Sequence, residues 1–166
     1  MKTLYLLRHA NAIHNPEDEK RPLSQQGQQE AFAISQYISQ NTIIPDIILC
    51  SSAIRAQETC QIITQNIKPL PPVTKSDDLY LAPPSIILQM IQNLPDQAEN
   101  AMIVGHNPGF YLLAGELCSG HDLRLIDDIF STAALATLNC NVDIWSEMDK
   151  ECCSLRNYTA VNDILL

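Results

Sequence analysis

Thr3-Leu4-Tyr5-Leu6-Leu7-Arg8-His9 begins as an almost continuously apolar run and stops abruptly on an arginine and a histidine. A half-exposed strand would alternate apolar and polar residues, so this run suits a strand buried on both faces. It is too short for a signal-peptide core or a membrane span. Ile47-Ile48-Leu49-Cys50, introduced by Pro45-Asp46, and Ala101-Met102-Ile103-Val104 repeat the pattern. Segments of helical spacing lie between these runs. Ser24 is placed to N-cap a helix reaching Gln40, with Ala31, Ile34, Tyr37 and Ile38 on one face. Ser51-Ser52 can cap a second helix to about Ile67. Pro83-Pro84 opens a third, which Pro95 closes, and Pro108 suits the first turn of a fourth, to about Leu117. A weak strand near Val73, closing strands at 133–138 and 152–156, and a helical turn over 143–148 complete the order. Strands alternating with helices predict an α/β fold. The expectation is a single three-layer domain over residues 1–166, with a parallel-rich central sheet, helices on both faces and no cap domain.

Composition narrows the function. The chain has 166 residues, 46% of them apolar, and a net charge of −9. That charge argues against nucleic acid and against an anionic membrane surface as partners. It also makes the placement of the few cations informative: Arg8, Arg21 and Arg55 fall in segments that read as loops or element ends near one another. The six cysteines form no CxxC pair, so zinc-type spacing is missing and buried reduced thiols are expected. Reduced thiols imply a reducing compartment, hence the cytoplasm.

In sheets of this kind ligands bind outside the carboxyl ends of the strands. His9, Ser51 and His106 all stand at such ends. Arg8 and Arg55 accompany two of them, and Arg21 can reach the same place from the loop after the first strand. Guanidiniums and imidazoles converging there suit a phosphoryl group, because arginine forks onto two oxygens and stays charged. The N-terminus of the helix after Ser51 would add backbone N–H groups to the same anion. A neutral imidazole can attack phosphorus, and the surrounding arginines should keep His9 neutral. The arginines also neutralise the equatorial oxygens, so neither a metal nor another cofactor is expected.

Four stretches carry a family resemblance: Leu7-Arg8-His9-Ala10, Arg21-Pro22-Leu23-Ser24-Gln25-Gln26-Gly27, Ser51-Ser52-Ala53-Ile54-Arg55-Ala56-Gln57-Glu58-Thr59 and Val104-Gly105-His106-Asn107-Pro108-Gly109. Together they resemble the histidine phosphatase superfamily, and most closely its short phosphohistidine phosphatase branch, the SixA type. The resemblance runs from residue 3 to about residue 120 and more weakly to the end. It implies that His9 is the nucleophile and that Arg8, Arg21, Arg55 and His106 hold the phosphoryl group. Ala10 departs from the glycine usual in the wider superfamily. The proton donor to the leaving group, a Glu in many relatives, maps to Ser76-Asp77-Asp78-Leu79-Tyr80, which makes Asp78 the first candidate and Asp18 the second.

Between Arg55 and His106 there is room for a strand, a helix and a strand, and no cap that would enclose a small molecule. The expected substrate is therefore a phosphohistidine-bearing protein such as the phosphotransfer domain of a signalling relay, with inorganic phosphate as product. A phosphatase for a small phosphorylated metabolite, a mutase and an inactive phosphate-binding module are the alternatives. The short chain argues against the mutase, and the intact Arg8, His9, Arg55 and His106 set against the inactive module. Cys50 and Arg55 superficially suggest a cysteine phosphatase, but four residues separate them where that loop needs five, and the loop has no glycine. His14, His121 and the acidic run Glu17-Asp18-Glu19 read as solvated surface, and Trp145 as a core anchor.

Overall fold

The computed structural model describes residues 1–119, 122–126 and 129–165, so His121 lies outside the described residues. Near the middle of its one sheet runs β1 (Lys2–Arg8), hydrogen-bonded in parallel to β4 (Asn100–Gly105) and antiparallel to β5 (Leu135–Cys140). β2 (Ile47–Ser51) pairs in parallel with β4 and with β3 (Val73–Ser76), and β6 (Cys153–Thr159) closes the far edge against β5. The order is β3-β2-β4-β1-β5-β6. Four parallel strands and an antiparallel pair make a single α/β domain with a parallel-rich sheet.

The apolar runs are continuous because both faces are covered. Leu4, Leu6, Ala101 and Ile103 point to a core filled by α3 (Pro84–Gln92) and α4 (Gly109–Leu117), where Trp145 is fully buried. Tyr5, Leu7, Met102 and Val104 point to the opposite core, under α1 (Gln25–Gln40), α2 (Ile54–Thr64) and the short α5 (Val161–Ile164). Successive strand residues thus serve alternate layers, as a period of two requires. Only β3 and α3 lie between α2 and β4 apart from short turns, so no cap is present.

Ser24 caps α1 as its sequence suggests, accepting from the Gly27 N–H. The second helix differs from expectation. Its N-cap is Ala53, with no side-chain cap bond, and it ends at Thr64. Ser51 is still in the strand, and its hydroxyl has another partner.

Candidate active site

The first, second and fourth strands end side by side. The His9 N–H donates to the Gly105 carbonyl at 3.0 Å, so the residue after β1 and the residue after β4 are neighbours. Their rings stand 5.1 Å apart, centroid to centroid. Arg55, in the first turn of α2, reaches across from β2. A cleft of about 440 Å³ opens over this meeting point and is lined by Arg8, His9, Asp18, Arg21, Arg55 and His106, with Tyr80, Asn107 and Thr132 on its rim. The structure thus brings together the two histidines and three arginines that the sequence singles out.

His9 is 8% exposed, and its Nδ1 lies 2.8 Å from its neighbour's carbonyl, Ala10 O. A carbonyl only accepts, so Nδ1 carries the proton and Nε2 keeps its lone pair. The Arg55 Nε–H points at that lone pair from 3.3 Å. The imidazole is held neutral, with its pKa lowered to about 4. Burial is the largest cause, ahead of the guanidiniums of Arg55, Arg8 and Arg21; the Ala10 hydrogen bond opposes them. The sequence-based expectation named the arginines alone, and burial is the larger cause. Ala10, the residue that departs from the superfamily's usual glycine, is fully buried, and its N–H donates to the Thr59 hydroxyl at 3.0 Å.

His106 is 3% exposed, and its pKa is lowered to about 3, by burial first and by His9 and Arg55 next. Its Nε2 lies 2.7 Å from Ser51 Oγ, which also accepts from the Ala53 N–H at 3.3 Å. Nδ1 is buried and has no hydrogen-bond partner among the described residues. Ser51 is fully buried and does not line the cleft. Its expected place on the phosphate is therefore corrected: it sits behind His106 and holds that ring through the 2.7 Å hydrogen bond.

The acidic loop is not merely solvated. Asp18, on the short 3-10 turn Asp18–Lys20, accepts from Arg21 Nη1 at 3.1 Å, from Arg55 Nη2 at 3.0 Å and from the Tyr80 hydroxyl. Arg55 Nη1 also donates to the Asp18 carbonyl, at 2.7 Å. The Tyr80 hydrogen bond, aided by both arginines, lowers the Asp18 pKa to about 2. Asp18 is therefore a carboxylate at neutral pH, although 45% of its side chain is exposed. Arg21 gives its remaining contacts to the carbonyls of Ile13 and Ala12, so it braces the 12–21 loop and holds Asp18. Arg8 donates to the carbonyls of Ile129 and Phe130 at 3.2 and 2.8 Å.

Asp78 does not join the cleft. In the 3-10 turn Asp77–Leu79, Leu79 is drawn into the core and Tyr80 turns to the cleft, while the Asp78 carboxylate just before them stays in solvent. Tyr80 itself was missed, although the stretch that contains it was singled out. Its ring stands edge-on to His106 at 5.7 Å and 5.9 Å from the Arg55 guanidinium carbon. Burial of Leu79 was the available signal, because it aims the next residue the other way. Cys50 is buried and off the cleft, and its thiol pKa is pushed up by its hydrogen bond to Cys60 and by burial. It has neither the exposure nor the ionisation of a nucleophile.

Comparisons with known proteins agree with this geometry. The family model of the histidine phosphatase superfamily (branch 1) matches residues 4–80. A solved structure from Nakamurella multipartitia, provisionally named phosphohistidine phosphatase SixA, superposes with a TM-score of 0.84 at 26% identity, covering 95% of each chain. Phosphohistidine phosphatase SixA of Escherichia coli is 25% identical over 142 residues, 81% of this chain and 83% of its own. An uncharacterised Mycobacterium tuberculosis protein is 29% identical over 157 residues, covering 90% of this chain and 96% of its own. Residues 4–80 are thus similar to the histidine phosphatase superfamily, and the likeness of the whole chain is to the SixA-type branch.

Proposed function

We propose that this protein hydrolyses phosphohistidine on a protein partner, through a phosphorylated His9. The observation that carries the reading is the ionisation of the cleft. His9 is neutral with Nε2 unprotonated, and Asp18, the one carboxyl group on the wall among the described residues, is held ionised. In the first step the Nε2–P bond forms as the bond from phosphorus to the leaving nitrogen breaks. Arg8 and Arg55, with His106 beside them on the cleft wall, receive the phosphoryl oxygens. An alkoxide leaving group needs an acid, and a carboxyl with a pKa of about 2 is a poor one. A phosphohistidine leaves as an imidazole that water can protonate, so it suits this wall. Water then attacks phospho-His9 and inorganic phosphate departs.

The open cleft supports a large substrate, since little of a small one would be enclosed. The name of the Escherichia coli relative points the same way. The six free thiols accord with a cytoplasmic setting, and among the described residues no helix is long and apolar enough to cross a membrane. The test is a panel comparing phosphohistidine proteins with phosphorylated metabolites at equal enzyme concentration. The proposal expects the highest kcat/KM on a phosphohistidine protein. A metabolite that matches or exceeds every such protein would overturn it.

A further inference from the structure

The cleft does not end at Arg8. Beyond Arg8 and Thr132, which line both hollows, a second one of about 370 Å³ runs between the start of α1 and the chain at 160–162. Its walls include Gln26, Glu30, Ile129, Val161 and Asn162. One wall is tied to the nucleophile itself, because the Ala133 N–H donates to the His9 carbonyl at 3.1 Å. The two hollows meet at Arg8 and Thr132, with His9 in the first, and the second is the outer half of this surface.

The chemistry of the outer half is neutral and amide-like. Glu30 is spent inside the protein: its two oxygens accept from the Asn11 N–H at 2.8 Å and from Gln26 Nε2 at 2.9 Å. Gln26 keeps its amide oxygen, Asn162 its whole amide and Thr132 its hydroxyl without a hydrogen-bond partner among the described residues. Among the described residues Arg8 is the single cation on this wall, and it is shared with the phosphoryl site. A substrate with a second phosphate or carboxylate would find no cation of its own there. Among the described residues no aromatic ring lines this half, so a base or sugar face finds no stacking surface. A peptide main chain offers what the wall lacks: alternating N–H and C=O groups for the amides and hydroxyl, and small side chains for Ile129 and Val161.

We infer that this outer groove binds the main chain flanking the phosphorylated side chain, so that the enzyme reads an extended polypeptide segment next to the residue it dephosphorylates. The inference rests on the reading of a protein substrate and names the surface that recognises it. It is tested with two series, phosphohistidine in a hexapeptide against free phosphohistidine, and phosphotyrosine in the same hexapeptide against free phosphotyrosine. The wild type should prefer peptide over free amino acid at least tenfold in kcat/KM. Asn162→Trp, which fills the groove from an exposed position, should bring that ratio near one, and Gln26→Ala with Asn162→Ala should lower it severalfold. Equal rates on peptide and free amino acid in both series would overturn the inference, as would a preference that survives both variants. A groove-dependent preference in the phosphotyrosine series, without turnover of phosphohistidine, would uphold the groove and overturn the proposed substrate.

Discussion

Acidifying the solution from pH 7.5 to 5.5 separates a buried catalytic imidazole from an ordinary one. With its pKa at about 4, His9 remains about 97% neutral at pH 5.5, whereas an imidazole at 6.5 would be about 9% neutral. Once the substrate's own ionisation is corrected for by its phosphorus chemical shift, kcat/KM should be nearly flat across this range. The same shift makes a stability statement. The unfolded chain takes a proton on His9 near pH 6.5, while the folded protein resists until about pH 4. The contribution of neutral His9 is therefore complete above pH 6.5 and is lost as the pH falls from 6.5 to 4. A shift of about 2.5 units corresponds to about 3.4 kcal/mol in full, of which about 1.4 kcal/mol is lost by pH 5.5. Urea unfolding of the wild type and of His9→Gln at both pH values measures it: the wild type should lose about that much relative to the variant. A tenfold fall in kcat/KM governed by an ionisation near 6.5, or unfolding curves that move in parallel, would refute the buried-neutral assignment.

Arg55→Lys keeps the charge but loses the fork that reaches both His9 and Asp18. It should lower kcat/KM on the order of 10²-fold, and wild-type rates with unchanged vanadate binding would remove Arg55 from the phosphoryl site. Asp18→Asn frees Arg55 from a competing carboxylate, so tungstate should bind roughly fivefold tighter, equivalent to about 1 kcal/mol for a half-exposed ion pair. Titration calorimetry showing weaker binding would contradict that role. Gly27→Ala would put a methyl 1.9 Å from the Asn11 carbonyl oxygen, where backbone meets backbone. It should cost roughly 1–3 kcal/mol in urea unfolding, and a neutral result would mean that the loop after β1 yields easily.

What could be read from the chain was whatever depends on local pattern. The run from Thr3 to Leu7 needed no partner to be recognised, because an unbroken apolar strand implies cover on both faces, and α1 to α4 supply it. Arg8, His9, Arg55 and His106 were legible because each follows or adjoins a strand end and the parallel strands bring those ends together. The errors fall where a side chain's direction decides. Ser51 looked like a helix cap beside the anion, but at the last position of β2 its side chain points under His106. Asp78 and Asp18 were both plausible carboxylates, and their merits depended on a turn around Leu79 and on a loop braced by Arg21. Tyr80 went unnoticed because a search for acids passes over a hydroxyl whose job is to hold one. The outer groove joins residues 26, 132 and 162, a proximity no local pattern encodes.

The central claim is that phosphate passes through His9 Nε2, and trapping it is the most direct measurement. Enzyme mixed with radiolabelled substrate is quenched within milliseconds into alkali, digested and mapped by mass spectrometry. One phosphate should be found on the peptide that carries His9; it should be stable in alkali, lost in acid, and absent from His9→Ala, which should fold normally and turn nothing over. Label on Cys50, or turnover that persists in His9→Ala, would contradict the mechanism.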